Sequence, residues 1–325
     1  MTYRSPFGRI RSRQTGLSLI ELMISMVLGL LVVGSAVGAF LSNQRTYRAT
    51  ESLARVQETT RAGFELMARE VREAGGNPCS KNLPTANVLD GGGGPMIANW
   101  NNGVTGYDNG ALAGSRAGTD AIELHSATSN GSTVTEVPSG SAANLKVNTS
   151  AHGFEVGDIL MVCDYGQASI FQTTGANAAN VTIGHNVGGS VAPGNCTKGL
   201  GLPVVCTANG TPKLYGPNSV VAKLHAARWY VADNGRGGSS LYRRPMNQGA
   251  PGPAEEITEG VVGMQIQYLV ENANGYVDAG GAVDWPRVTA VRITLDVEGP
   301  GREGTDGEAL ARRIEHIVTL RNRTS

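Results

Sequence analysis

The chain has 325 residues, enough for one large domain or two small ones in addition to a membrane anchor. Basic and acidic residues balance at 27 each; taking the four arginines of the first sixteen residues from the 27 leaves 23 against 27, a mildly acidic remainder with no field for nucleic acid. Forty-five glycines and only 5% aromatic residues argue against a compact helical enzyme and suit a loop-rich, extracytoplasmic β domain.

Arg4, Arg9, Arg11 and Arg13 open the chain with no acidic residue among them, which predicts a cytoplasmic N-terminus with the bulk of the chain on the other side of a membrane. From Leu17 to Leu41 the residues are apolar or small, with Glu21 the single charge, and this exceeds the ~20 residues that a bilayer-spanning helix needs. A secretory signal carries its small-residue cleavage site after the apolar run. Here Gly16 precedes it, so a cut there would remove the charged leader and keep the apolar helix. A carboxylate one turn inside such a helix is costly without a partner. Cleavage after Gly16 would supply one, because the new α-amino group of Leu17 is cationic near neutral pH and lies one turn from Glu21. The pair would form with Glu21 of a neighbouring copy or paralogue. The plainer alternative is that Glu21 snorkels to the headgroups.

The segment Gly16-Leu17-Ser18-Leu19-Ile20-Glu21-Leu22 resembles the processing site of type IV prepilins. That resemblance implies a membrane prepilin peptidase that cuts between Gly16 and Leu17 and methylates the Leu17 amine, and it implies an assembly role for Glu21. The family usually has phenylalanine where this chain has Leu17.

Within the apolar run, Gly34 and Gly38 form a Gly-x-x-x-Gly spacing, and Ser25 and Gly29 repeat small-x-x-x-small, so close helix packing is expected there, although glycine is also common in membrane helices. Beyond Leu41, Leu53, Val56, Thr60, Phe64, Met67, Val71 and Ala74 recur at steps of three or four, an amphipathic continuation that Gly75-Gly76-Asn77-Pro78 should end. The rod would then be on the order of 85 Å long at 1.5 Å per residue. Residues 79–118, rich in Gly, Asn, Pro and Ala, read as a long exposed connection; the run Gly91 to Gly94 has no phosphate-loop context.

From Asp120 the pattern changes to short β runs separated by turn residues: 121–126, 133–137, 144–147, 158–163, 169–173 and 181–183, a meander-like antiparallel sheet. Residues 184–217 form a second Gly/Pro-rich excursion. Strands resume at 222–231, 240–243, 262–270, 287–297 and 314–321. The strand 287–297 alternates cleanly, and the last strand should return antiparallel to it across the charged connection 298–308. Cys79, Cys163, Cys196 and Cys206 all lie beyond the membrane helix, an even number that suggests two disulfides. Three connectivities are open, of which we favour Cys196 with Cys206 and Cys79 with Cys163.

Residues 157–164, 168–172, 240–243, 259–268 and 318–322 are similar to segments of the PilW family of minor pilins. The resemblance implies a low-abundance subunit that joins other minor pilins and the major pilin, primes type IV pilus assembly and stays at the fibre tip, with twitching motility and adhesion depending on it. It also implies storage in inner-membrane lipid before assembly. The expected fold is α+β and type IV pilin-like: a long N-terminal helix packed on a mostly antiparallel β domain with long Gly-rich loops. The expected organisation is a basic leader over 1–16, a transmembrane helix over 17–41, its amphipathic continuation over 42–77 and an extracytoplasmic domain over 78–325.

No catalytic constellation emerges. His125, His152, His185, His225 and His316 are scattered without metal-ligand spacing, and no Gly-x-Ser-x-Gly elbow is present. The stretch 271–278, with Asp284 nearby, invites a calcium reading, but amides fill most positions and Asn274-Gly275 suits a hairpin turn. We therefore expect no enzyme activity, cofactor, metal or nucleic-acid partner. Alternatives are a type II secretion pseudopilin, a tip adhesin or DNA-uptake subunit, and a secreted enzyme cut after Ala39 in Val37-Gly38-Ala39.

Overall fold

A single α-helix, α1, runs unbroken from Leu19 to Glu73, 55 residues in all. The structure is a computed structural model that describes residue 16 and residues 18–80, 83–139, 142–177, 179, 181–188, 190–299 and 309–323, leaving aside the side chains of residues 45, 53, 55 and 56. The leader arginines, Leu17, the connection 300–308 and the side chains of Leu53 and Val56 therefore lie outside the described residues.

Ser18 caps the helix, its hydroxyl accepting the Glu21 N–H at 3.2 Å, and Glu21 places an acid in the first turn, where the helix dipole favours it. At the other end the Ala74 N–H bonds back to the Val71 carbonyl, and Gly75 turns into the left-handed region at φ +69°. The helix thus stops at Glu73 with Ala74 as its C-cap, at the Gly75-Gly76-Asn77-Pro78 stop read from the sequence. Thr60, Phe64, Met67, Ala68, Val71 and Ala74 form its buried stripe.

The stripe packs into a β domain built from three sheets. The largest has nine strands around Val220–Asp233, which pairs antiparallel with Ala121–Thr128, Ile159–Cys163 and Ser239–Asn247. Val104–Tyr107 extends it beside Ala121–Thr128, and Ala168–Gln172 beside Ile159–Cys163. Thr85–Asn87 adds the parallel pair of the sheet, and Ala250–Pro251 and Glu255–Glu259 both pair with Ser239–Asn247. A four-stranded sheet runs Tyr276–Asp278, Val261–Val270, Val288–Glu298, Ala311–Thr319. A small third sheet joins Asn144–Lys146, Thr182–Gly184 and Gly175–Asn177.

The helix stripe, Ile122, Leu124, Trp229 and Val231 of the large sheet, and Ile266, Tyr268, Val291, Ile293 and Leu295 of the four-stranded sheet share one core. In Val288–Glu298 the expected alternation holds, with Val291, Ile293, Leu295 and Val297 inward and Arg292, Thr294 and Asp296 on the other face. A second core, around Leu145, Leu160, Phe171 and Tyr215, fills the space under the small sheet.

Three expectations are corrected. The large sheet is not a meander, because its central strand comes late in the chain and pairs with segments about 100 and about 60 residues earlier. Segment 133–137 forms only the single bridges Thr133–Val220 and Val134–Val147. Residues 79–118 are not an exposed connection: Val88, Leu89, Met96, Ile97, Trp100 and Val104 are all buried. Glycines 91 to 94, all at positive φ, fold that segment tightly enough for its few apolar side chains to reach the core. At Gly93 a β-carbon would stand 2.5 Å from Leu89 and 3.0 Å from Ile97.

Candidate functional site

Along α1 the physical chemistry changes abruptly. Fifteen large apolar side chains between Leu19 and Leu41 are exposed, from Leu19 at 78% to Leu41 at 48%. Leaving a buried-type aliphatic side chain in water costs roughly 1.5–3 kcal/mol, so the segment carries a penalty on the order of tens of kcal/mol. That exceeds the roughly 5–15 kcal/mol by which whole domains are stable. The segment must be covered by lipid or by other helices, and at ~1.5 Å per residue it is long enough to cross a bilayer.

Glu21 lies in the first turn of this segment and is exposed; Gly16 precedes the Ser18 cap and has nothing near it. Gly29, Gly34 and Gly38 likewise have no atom within 4 Å of where a β-carbon would stand. Their flat faces touch nothing within the described residues and are open to a second helix.

The outer half of α1 is anchored instead. The Glu70 carboxylate accepts the Trp229 indole N–H at 2.6 Å and the Arg243 Nε–H at 2.8 Å, while Arg243 also donates to Glu255 at 2.9 Å. Trp229 is fully buried, so Glu70 satisfies a donor that water cannot reach. Gly63 lets the helix backbone approach Thr258, whose hydroxyl donates to the Thr59 carbonyl at 3.3 Å. At the helix end, the Arg321 N–H donates to the Arg72 carbonyl at 3.1 Å and the Asn322 amide to the Glu73 carbonyl at 3.3 Å. Arg323 reaches the Asn102 carbonyl at 2.9 Å, and burial pulls its guanidinium below the usual arginine range. Force applied to the apolar half therefore passes into the domain through charged and hydrogen-bonded ties as well as packing.

None of these anchors emerged from the sequence, although Glu70 left a trace. It falls three residues after Met67 and four before Ala74, an acid on the buried stripe, which implies a buried partner. Trp229 lies 159 residues away and no local pattern links it.

Cys79 joins Cys163 and Cys196 joins Cys206, with Cα separations of 6.1 and 4.9 Å. The first ties the segment after α1 to the strand Ile159–Cys163; the second closes part of the excursion 184–217. One buried charge cluster stands out. Glu123 is fully buried between Arg228, whose Nε is 2.5 Å away, and His125, whose Nε2 is 3.2 Å from Glu123 and 3.0 Å from the Met96 carbonyl. Burial by itself would push the Glu123 carboxyl up, but the hydrogen bonds and charges of His125 and Arg228 outweigh it and hold it below the ordinary carboxylate range. Glu123 and Arg228 are cross-strand partners in the large sheet, so the cluster acts as a buried tie between strands.

In the stretch 271–278, Asn272 takes φ +62° ahead of the strand Tyr276–Asp278, and Asp278 accepts from the Gln267 amide at 3.0 Å. Among the described residues no group of three or more His, Cys, Asp or Glu side chains converges on a metal-sized space.

Comparison with known proteins adds two matches. Residues 228–318 match the family model described as type IV pilus-assembly protein W, PilW. Residues 11–37 match the prokaryotic N-terminal methylation motif. The first match takes in Trp229, Arg243 and the four-stranded sheet up to Val318, and contains 240–243 and 259–268 of the segments singled out above; 157–164, 168–172 and all but the first residue of 318–322 lie outside it. No curated protein and no solved structure matches the chain.

Proposed function

Starting from a PilW-like chain of prepilin type, a type IV pilus-related minor pilin, we propose that it is a structural subunit that primes pilus assembly and remains at the fibre tip. Both matched families are structural pilus components. The observation that carries the reading is the division of α1: an apolar half with no partner in the chain, and an outer half anchored by Glu70 to the domain that the PilW match overlaps. In this reading a prepilin peptidase cuts between Gly16 and Leu17 and methylates the new amine. The subunit waits in the inner membrane, N-terminus in the cytoplasm and domain in the periplasm. The Leu17 amine and Glu21 of adjacent subunits then pair as the rods bundle. Because lipid covers apolar surface as well as protein does, packing at Gly29, Gly34 and Gly38 together with that ion pair must supply the specificity.

Two experiments test it. Mass determination of the mature N-terminus should give a methylated Leu17; a chain beginning at Phe40 would mean ordinary secretion instead. Deleting the gene should leave few or no surface pili, and a deletion strain with normal pilus number and normal twitching would refute the assembly role.

A further inference from the structure

We propose that the groove between α1 and the last strand, Ala311–Thr319, receives an extended acidic segment of a neighbouring subunit, which adds to the sheet as a further strand; this rests on the pilin reading above. The strand forms one edge of the four-stranded sheet and pairs only with Val288–Glu298 among the described residues. The phase of that pairing decides which backbone groups are free. Gly299 N–H donates to the Leu310 carbonyl and Leu320 N–H to the Thr289 carbonyl, both at 2.9 Å, and the register runs without a shift from Ala290–Thr319 to Glu298–Ala311. Even-numbered residues therefore hydrogen-bond inward, and Ala311, Arg313, Glu315, Ile317 and Thr319 turn their N–H and C=O outward.

Apart from charged side chains, the devices that normally blunt such an edge are missing. The strand is nine residues long and has no proline, lysine or bulge. Of its charged residues, Arg313 and Glu315 are engaged with the neighbouring strand, Arg313 with Asp296 at 2.7 Å and Glu315 with Arg292 at 3.9 Å, while Arg312 lines the groove. Ile317 is left 54% exposed. Beside the edge lies a groove of about 350 Å³ whose walls include Thr60, Arg61 and Phe64 of α1 and Arg312, Ile314 and His316 of the strand. Phe64 and His316 stack at 4.2 Å to form its floor. Thr60 is 1% exposed, and its hydroxyl is buried without a hydrogen-bond partner, so the groove holds an unused polar group.

The chemistry of the occupant follows. Open N–H and C=O groups at every second residue call for an extended backbone, and the apolar floor calls for small or apolar side chains at alternate positions. Arg61 and Arg312 flank the groove, and neither has a carboxylate partner among the described residues; the acid on the same wall, Glu65, faces Arg72 at 4.0 Å, so the charge left uncompensated in the groove is positive and favours acidic side chains between the apolar ones. The groove lies on the rod whose apolar half must be covered by lipid or by other helices, and in the pilin reading assembly would bring other subunits alongside it.

Photo-cross-linking in cells tests this, with p-benzoylphenylalanine placed in the full chain at position 317, or at position 33 on the apolar rod, and cross-linked peptides sequenced by mass spectrometry. Cross-links from position 33 into other prepilin-type chains report the pilin reading; those from position 317, whose side chain stands beside the open edge on the sheet face away from α1, report the added strand. We expect position 317 to cross-link into an acidic, extended segment of another prepilin-type chain. Glu315→Pro deletes an outward N–H and no ladder bond, so it should lower that yield about tenfold while the melting temperature stays within about 3 °C. Arg61→Glu and Arg312→Glu should each lower it without touching the backbone. Cross-links only into lipid, into this chain or into a chain without a prepilin N-terminus would overturn the proposal, as would yields that none of the three substitutions changes.

Discussion

Replacing Glu70 by alanine removes the acceptor of two hydrogen bonds, one from the fully buried Trp229 indole at 2.6 Å and one from Arg243 at 2.8 Å. The indole N–H is left without a partner, at a cost of about 1–3 kcal/mol. Arg243 is not stranded, because it keeps Glu255 at 2.9 Å and its side chain is 23% exposed, so its share is smaller, about 1 kcal/mol. The sum is about 2–4 kcal/mol. At roughly 2–4 °C per kcal/mol for a domain of this size, the melting temperature should fall by roughly 4–16 °C. Glu70→Gln keeps one acceptor oxygen for Trp229 but loses the charge and the second oxygen that Arg243 uses, so it should cost about 1 kcal/mol. Urea denaturation of the chain in detergent micelles, followed by tryptophan fluorescence, measures both. If Glu70→Ala changed stability by less than about 0.5 kcal/mol, or if Gln proved as damaging as Ala, the anchor would not be what holds the rod to the domain.

Three further outcomes follow from the geometry. The Cys79–Cys163 bridge closes a separation of 84 residues and Cys196–Cys206 one of 10, so on loop entropy removing the first should cost about 4.5 kcal/mol and the second about 2.7 kcal/mol, read as the ranking of Cys163→Ser against Cys206→Ser in denaturation. Burial lowers the His185 imidazole from 6.5 to about 4. The unfolded chain then binds the proton first: the stability is fully present above pH 6.5 and declines by roughly 3 kcal/mol as the pH falls toward 4, a slope that His185→Phe should remove from the pH profile of the melting temperature. Gly63→Ala would drive a methyl group into Thr258 and should destabilise the domain by about 1–3 kcal/mol, whereas Gly34→Ala should leave domain melting unchanged and reduce pilus number.

What the sequence determined by itself is everything set by neighbours a few residues apart. The apolar run, the stripe at Thr60, Phe64, Met67, Val71 and Ala74, the stop at Gly75 and the alternation in Val288–Glu298 are periodicities of a single element, so they survive without knowledge of the fold. The Gly-rich segment 79–118 misled because its composition resembles a solvated loop, while its burial depends on a few apolar side chains meeting a distant sheet. Tertiary structure alone decided which strand lies at the centre of the large sheet, since its pairing is settled by sheet faces meeting across about 60 to 110 residues. It alone also brought Glu70 to Trp229 and Arg243, and set Ala311–Thr319 beside α1 with half its backbone groups turned outward. Hydrogen bonds of that reach do not identify their partners in the chain: Glu70 stands out as an acid on the buried stripe, but Trp229 and Arg243 look ordinary among their own neighbours.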